Sequence, residues 1–333
     1  MMRKPHIRHG RFFNGAGDTL RARIKEITRT MALIARHNVR KQPAHDKQQA
    51  HELWRDKPVI IQRSDELRIT WLGHATFLIQ VAGFNILTDP VFYEIARVTP
   101  RYVDAPITPE ELPPIDVILI SHNHRDHTDT KSLQALLSHQ PQVFVPQGDR
   151  GWFLECGFRT VTQAAWWELF TVGDVALTFL PANHWSGRHL FDINLSLWGS
   201  WMINVNGKKI YFAGDTAYDE HFKAIHKAFG NIEVVLMPIG PNQPYTMRET
   251  HVSAHEAVKA FIDLGGRHLV PMHWGTFKFG TDAFMDPYDL LLIAWAAHAD
   301  KLEDRVLHTL KHGHHVGPHS VTDTTASNHR KGT

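Results

Sequence analysis

Cysteine is almost missing from this chain: one residue in 333, Cys156. No internal disulfide can form, so the fold has to stand on its apolar core, and a reducing compartment suits it. There is also no run approaching the roughly 20 apolar residues that a membrane-spanning helix needs. The opening MMRKPHIRHGRFFNG lacks the apolar stretch of a secretory signal. Together these absences predict a cytoplasmic protein without a transmembrane segment and argue against a disulfide-stapled secreted domain. With 43% hydrophobic and 21% charged residues the chain is neither disordered nor collagenous. Its length suffices for one large domain or two small ones.

Histidine is abundant by contrast, with 25 imidazoles against 36 lysines and arginines. Charge is also unevenly spread. Residues 1–57 carry 14 basic and 5 acidic side chains, whereas the remainder carries 22 and 29. A basic head on a mildly acidic body implies either an anionic partner for the head or a solvated segment wrapped over the body. Within the head, Leu20, Ile24, Ile27, Met31 and Ile34 recur at helical spacing, with Arg21, Lys25, Arg29 and Arg36 over much of the rest. Such a helix can dock its stripe on the body or lie on an anionic bilayer, and docking needs no partner. From His37 to Lys57 the chain is polar and reads as a connector.

Strand patterns start at Leu67. LRITWLG and TFLIQVAGFNILTD are β-rich, with Gly83 marking a hairpin turn. After a loop with Pro100, Pro106, Pro109, Pro113 and Pro114 come an apolar run Val117–Ile120, a helix over 129–137, the strand QVFVP and a short helix over 149–156. Further strands are expected at Val175–Leu180, Leu195–Val205, Lys209–Phe212, Val234–Pro238 and His268–Pro271. Helices are expected over 217–229 and 254–264. FLIQVAGFNILTDPVF (77–92) and WMINVNGKKIYFAGDTAY (201–218) echo one another: strand, Gly turn, strand, then an Asp. Two such halves suggest a duplicated α/β unit, two sheets face to face with helices outside. The echo also gives Asp89 and Asp215 comparable positions. The organisation expected is a basic N-terminal extension (1–65), a catalytic body (66–318) and a flexible polar tail (319–333).

The strongest chemical signal is S-H-N-H-R-D-H, which puts His122, His124, Asp126 and His127 directly after the strand Val117–Ile120. Three imidazoles and a carboxylate within six residues at a strand end suit Zn²⁺, with Mn²⁺ or Fe²⁺ as alternatives. One short segment cannot close two metal shells, so other strand ends must contribute. His184 follows LTFLPAN, Asp215 follows IYFAG and His273 follows HLVPM. With four-coordination as a guide, one ion takes His122, His124, His184 and Asp215. The other takes Asp126, His127, Asp215 and His273, so that Asp215 bridges both. There is no G-x-S-x-G nucleophile elbow, and Cys156 lies outside these motifs, which favours attack by water over covalent catalysis.

These residues resemble the metallo-β-lactamase superfamily, whose HxHxDH signature matches 122–127 without a gap. Within it the chain is similar to N-acyl-phosphatidylethanolamine-hydrolysing phospholipases D and their bacterial relatives. The similarity runs through GRFFN (10–14), TWLGHATFLI (70–79), ILTDPVF (86–92), ELPPIDVILISHNHRDH (111–127), HW (184–185), LWGSW (197–201), YFAGDTAY (211–218), PIG (238–240), HVSAHEAV (251–258) and HWGTF (273–277), in the family's order. The resemblance implies an α/β fold, the αβ/βα four-layer sandwich of two β-sheets flanked by helices, with two Zn²⁺ per chain at one edge. It implies the same seven ligands and a metal-bridging hydroxide that attacks phosphorus. By the same resemblance, Asp126 serves catalysis from within the ligand set and His251 as a substrate or general-acid contact. His74 and Asp89 are expected to support the ligands, Asp89 by orienting a ligand imidazole through its free N–H.

The expected function is a binuclear zinc phosphodiesterase of phospholipase D type, acting on a small or lipid-like phosphodiester. A lactonase or other ester hydrolase is the alternative on the same fold. A nucleic-acid-binding protein using the basic head is the alternative of another class, though no zinc finger, RNA-binding aromatic motif or helix-turn-helix is present. Arg188, four residues after a proposed ligand, is placed to pair with a phosphate. Trp185, with Trp152, Phe153, Trp166 and Trp167, can line an acyl groove or simply belong to the core. Peripheral contact with an anionic membrane is expected, if anywhere, through residues 19–36.

Overall fold

The computed structural model describes residues 4–37, 50–95, 99 and 101–317. A hairpin of β1 (His6–Arg8) and β2 (Arg11–Phe13) opens the chain, followed by a helix, Leu20–His37. One sheet is then built from β3 (Arg68–Gly73), β4 (Thr76–Val81), β5 (Phe84–Thr88), β6 (Val117–Leu119), β7 (Gln142–Pro146) and β8 (Thr160–Ala164). The second holds β9 (Leu169–Val172), β10 (Val175–Leu180), β11 (Ser200–Val205), β12 (Lys208–Phe212), β13 (Ile232–Pro238), β14 (Gly266–Met272) and β15 (Val306–Leu307). Finally β16 (His315–Val316) returns to the first sheet beside β3.

Read from their antiparallel edges, the sheets run β16-β3-β4-β5-β6-β7-β8 and β9-β10-β11-β12-β13-β14-β15. In each, the first three pairings are antiparallel and the last three parallel. The hairpin β4–β5 corresponds to β11–β12, so the echo between 77–92 and 201–218 reflects equivalent places in two similar halves. Asp89 follows β5 and Asp215 follows β12.

Side chains alternate between two hydrophobic layers. Phe77, Ile79, Ile86, Val117 and Leu119 face the second sheet and join Phe179, Trp201, Ile203 and Phe212 in one large core. Their neighbours Leu78, Leu87, Ile118 and Ile120 face outward and pack with residues of the helices Thr130–Ala135 and Arg150–Glu155. On the second sheet the helix Ala254–Asp263 supplies Ala257, Val258 and Phe261. Strands covered on both faces read as continuous apolar runs, which is why Val117–Ile120 has no polar alternation. The chain has the four-layer sandwich of the metallo-β-lactamase fold. Where the layers meet at the catalytic edge, Gly214 (φ +58°) passes so close to Ser121 that a Cβ would lie 2.5 Å from that residue's own Cβ. Only glycine fits there.

Several boundaries differ from expectation. The strand expected from Leu195 starts at Ser200, because Leu197 and Gly199 donate their N–H groups to Gln147 and Ser121 of the other half instead of to a neighbouring strand. The helix expected from Ala217 starts at His221, since the Ala217 N–H is bonded to Asn183 O. Residues 50–54, expected as polar connector, are helical, and Trp54 packs edge-on to Trp274 and Tyr288. The rest of that connector and the tail 319–333 lie outside the described residues. The helix Leu20–His37 touches the body only in part along its apolar stripe. Positions 23, 26, 27, 30, 33 and 34 are half-buried, and Thr30 Oγ1 meets Thr246 Oγ1 at 2.8 Å, while Ile24 and Met31 remain 39% and 62% exposed. Among the described residues, no helix is long and apolar enough to cross a membrane.

Candidate metal centre

The seven side chains singled out as metal ligands come together at the ends of β6, β10, β12 and β14. His122, His124 and His127 with Asp126 lie on the turn after β6, His184 beyond β10, Asp215 beyond β12 and His273 directly after β14. Their donor atoms fall into two groups. His122, His124, His184 and Asp215 form one, and Asp126, His127 and His273 with His74 form the other. Asp215 reaches both. Its Oδ2 lies 3.9 Å from His122 Nε2, 3.7 Å from His184 Nε2 and 3.3 Å from His127 Nε2, and its Oδ1 lies 3.2 Å from His273 Nε2.

The imidazoles are held in the tautomer that ligation requires. A carbonyl oxygen can only accept, so an imidazole nitrogen facing one carries a proton, and in the neutral ring the opposite nitrogen is the one free to ligate. His184 donates from Nδ1 to Thr250 O (2.8 Å), His273 from Nδ1 to Gly240 O (3.0 Å) and His127 from Nδ1 to Asp89 Oδ2 (2.7 Å). Ser121 Oγ donates to Asp89 Oδ2, which leaves it to accept from His122 Nδ1 at 2.9 Å. Four Nε2 atoms therefore face inward. His124 points its Nδ1 to within 2.8 Å of His122 Nε2 and 3.2 Å of His184 Nε2, and one proton cannot serve both contacts. Among the described residues, buried His127 Nε2, His273 Nε2 and Asp215 Oδ1 make close contacts with one another's groups but no well-formed hydrogen bond. So many imidazole nitrogens and carboxylate oxygens converging on one buried space is the donor chemistry of a divalent-cation site. His/Asp sets of this kind suit zinc, iron or manganese.

Charge points the same way. Burial drives the pKa of His122 and His184 well below the ordinary imidazole value and that of His124 down to about 4, which keeps all three neutral. Burial also opposes charge on His127 and His273, but Asp215 and Asp126 outweigh it. His127 is held well above its usual value and His273 is lifted to about 9. Burial would raise Asp126 and Asp215, yet the imidazoles around them hold both well below the carboxylate range. Without an ion, the positive charge that the two carboxylates draw in is held as protons on His127 and His273, the protons a divalent cation would displace.

Behind the ligands lies a supporting layer. Buried His74 (φ +51°) sits with Nε2 3.0 Å from Asp126 Oδ2, and its carbonyl accepts from the His273 N–H at 3.2 Å. Asp89 (φ +31°) accepts from Ser121 N (2.7 Å), Ser121 Oγ (2.5 Å) and His127 Nδ1. His273 also has a positive φ, +60°. Left-handed backbone at three non-glycine residues costs about 1–3 kcal/mol each, and the surrounding hydrogen bonds hold it in place. His251 stands just before the helix Ala254–Asp263, which starts with a capping box formed by Ser253 and Glu256. Its Nε2 is 3.2 Å from Asp215 Oδ2, and its Nδ1 faces Met247 O and Thr250 Oγ1. Trp185 lies at the rim, edge-on to His124 with 4.1 Å between ring centroids.

Arg188 is placed otherwise than a phosphate partner would be. Its guanidinium donates to Asn123 O (3.2 Å), Thr128 O (2.7 Å) and Thr130 Oγ1 (3.3 Å) and stacks 4.3 Å over Trp152, clasping the 122–128 turn from behind. Sequence reasoning missed further supports. Asn14 donates from Nδ2 to His184 O (2.9 Å), and Asn123 bridges Asp149 Oδ1 and the Gly187 N–H. Asn14 ends the GRFFN run, the only sequence signal that could have found it. Of the tryptophans considered for an acyl groove, Trp166 is core, donating to Trp198 O, while Trp152 is occupied by Arg188.

Comparison with known proteins adds a family. Residues 84–274 match the model of the beta-lactamase superfamily domain. The chain is 34% identical over 241 residues to N-acyl-phosphatidylethanolamine-hydrolyzing phospholipase D 1 of Caenorhabditis elegans, covering 67% of this chain and 68% of that protein. It is 34% identical over 247 residues to the mitochondrial N-acyl-phosphatidylethanolamine-hydrolyzing phospholipase D of Saccharomyces cerevisiae, covering 70% of this chain but only 53% of that one. Among solved structures it is similar to Igni18, a metallo hydrolase of the archaeon Ignicoccus hospitalis, with a TM-score of 0.57 at 20% identity over 76% of this chain and 98% of the other.

Proposed function

The chain belongs to the metallo-β-lactamase superfamily and is a metal-dependent hydrolase, and from that premise we propose that it is a binuclear zinc phosphodiesterase acting on a phospholipid-like diester. The observation that carries this reading is the position of Asp215, whose carboxylate reaches both donor groups at once. In this reading His122, His124, His184 and Asp215 hold one ion and Asp126, His127, Asp215 and His273 the other. A pair of divalent ions so held supplies Lewis acidity, making water a nucleophile at neutral pH and offsetting charge that grows on the phosphoryl oxygens.

The chain's own residues do the rest. Asp89 and Ser121 fix the ring planes of His127 and His122, and His74 fixes Asp126. Burial of the ligands other than half-buried His124 and Asp126 limits bulk water and strengthens the electrostatic contacts among them. His251 is the one imidazole beside Asp215 outside both ligand sets. In its imidazolium form it holds one proton on Nδ1 toward Met247 O and one on Nε2 toward Asp215 Oδ2, and the Nε2 proton is the one that would pass to the leaving alkoxide. The phospholipase relatives support a lipid-like substrate.

The test is metal analysis followed by a substrate panel on one preparation: a generic phosphodiester, a phosphomonoester, a lactone, a β-lactam and N-acyl phosphatidylethanolamine. Two zinc ions per chain with fastest turnover of the diesters is the expected result. One ion per chain, or faster turnover of the lactone than of either diester, refutes it.

A further inference from the structure

Two of the most exposed large apolar side chains stand side by side near the metal centre. Leu190 and Phe191 are 72% and 89% exposed on the loop between Trp185 and Ser196. This exposure is not that of a loose segment. The Asp192 carboxylate accepts the backbone N–H groups of Arg188 and His189 at 3.0 and 2.8 Å, Asn194 N–H donates to Ser186 O at 2.8 Å, and Gly187 N–H to Asn123 Oδ1 at 2.8 Å. The N-terminal hairpin braces the outer side. Phe12 N–H donates to Asn194 O, and the Arg11 guanidinium donates to Phe191 O (3.1 Å) and Ile193 O. A tip tied at so many points yet holding a leucine and a phenylalanine in water is built to meet something apolar.

The charges around the tip say what that is. Arg11 lies under it, and exposed Arg125 reaches His189 at 3.5 Å. The loop's one carboxylate, Asp192, is spent on the N–H groups of residues 188 and 189. Two apolar side chains flanked by cations that form no ion pair among the described residues match an anionic lipid surface: the apolar pair enters the acyl boundary while the cations stay among the headgroups. Position links the tip to the chemistry. Arg125 stands between the proposed ligands His124 and Asp126, and Trp185, at the base of the same loop, packs on His124.

We infer that Leu190 and Phe191 form an insertion tip that seats the rim of the metal centre on an anionic phospholipid bilayer. The inference rests on the proposed lipid-like substrate for its meaning, but its test does not depend on lipid hydrolysis. The full chain, metal-loaded, is sedimented with vesicles of pure phosphatidylcholine and with vesicles containing phosphatidylglycerol, at low and high salt. Wild type is expected to bind the anionic vesicles more tightly and to lose binding as salt rises. The double variant L190S/F191S should bind at least about tenfold more weakly, with unchanged melting temperature and unchanged turnover of the soluble diester bis(p-nitrophenyl) phosphate. The double variant L190F/F191L, which restores apolar bulk, should bind like wild type.

Equal vesicle binding by wild type and L190S/F191S overturns the proposal, as does failure of wild type to bind anionic vesicles. So does the finding that the pair governs self-association of the chain and not vesicle binding. Vesicle binding that depends on Leu190 and Phe191 in a protein that hydrolyses no lipid supports the tip while refuting the lipid substrate.

Discussion

The two halves of the molecule place an aspartate at the same point and use it in opposite ways. Asp89 follows β5 and Asp215 follows β12, at the ends of corresponding hairpins in sheets of identical strand sense. Asp89 is met by proton donors: the Ser121 amide and hydroxyl and the His127 Nδ1–H. Asp215 is met by the Nε2 atoms of His122, His127, His184, His251 and His273, of which four carry their proton on the far nitrogen. Backbone position therefore does not decide the role of the carboxylate. What decides it is the company: an amide, a hydroxyl and one imidazole give Asp89 a full set of fixed donors, so it orients a neighbour, whereas five imidazoles converge on Asp215 at once, a set that a cation completes. Asp89 also takes the left-handed backbone itself, while in the second half Gly214, one residue earlier, takes it.

The hardest test of this contrast is Asp215→Ala. Removing the carboxylate common to both donor groups should release at least one ion and lower hydrolysis by a factor of at least about 100, read as metal per chain and kcat on the same sample. Asp215→Asn, which keeps one oxygen, should retain more metal than the alanine variant. Normal metal content in Asp215→Ala would break the comparison outright.

His251→Ala comes next. It stands against Asp215 but outside both donor groups, so both ions should stay while kcat on phosphodiesters falls about 100-fold or more, most for poor leaving groups. Lost metal would make His251 a ligand, and lost stability with normal kcat would make it a support for the start of the helix Ala254–Asp263. Asp89→Asn should be milder. The amide can still meet Ser121 but answers His127 Nδ1–H less well, so affinity for the ion on the His127 side should fall about 10–100-fold. Isothermal metal titration that showed Asp89→Asn as damaging as Asp215→Ala would erase the distinction between the halves.

Much of this arrangement was legible because it is local. The SHNHRDH run puts three imidazoles and a carboxylate within six residues directly after an apolar strand, and His184, Asp215 and His273 each follow a strand of their own. The duplication was legible because Gly83 and Gly207 mark equal turns before the two aspartates. What stayed hidden depends on distant partners. Asn14 holds the His184 carbonyl from 170 residues away, and Arg188 reaches 60 residues back to the Thr128 carbonyl. Neither partnership leaves a trace in periodicity, and a charged side chain four residues after a ligand looks the same whether it faces substrate or backbone. The two-residue strands β15 and β16 are too short to carry a pattern of their own. The helix Asp286–Ala297 exposes Leu290, Leu292 and Ile293 while burying Leu291, so no single apolar face announces it. The stripe Leu20–Ile34 was correctly helical, yet which of its faces meets the body depends on the segment Tyr245–Glu249.

The smallest expected effect concerns a third buried carboxylate, Asp149, which supports the first half's ligand turn without facing a ligand atom. Its Oδ1 accepts from Asn123 Nδ2 (2.9 Å) and Ser196 Oγ (2.6 Å), and its buried Oδ2 has no hydrogen-bond partner among the described residues. Burial lifts its pKa from 3.8 to about 6, against the pull of Ser196 and Asn123. A carboxyl whose folded pKa lies above its unfolded value binds its proton more tightly in the folded state. Its contribution is complete below about pH 4 and is lost as pH rises through about 6, where a charge without a full set of donors is left buried. The loss is at most about 3 kcal/mol, or roughly 4 °C in melting temperature for a chain of this size. Asp149→Asn removes the titration while keeping an oxygen for Asn123 and Ser196. With chelator present throughout, so that ion release plays no part, the melting temperature of Asp149→Asn relative to wild type should rise by several degrees between pH 4 and pH 7.5. At neutral pH the metal-loaded variant should hydrolyse diesters at close to the wild-type rate. A difference in melting temperature that stayed flat across that range would mean that Asp149 is ionised in the folded protein throughout, with a donor for Oδ2, and a large loss of activity would place it among the groups that set the ligand geometry, alongside Asp89.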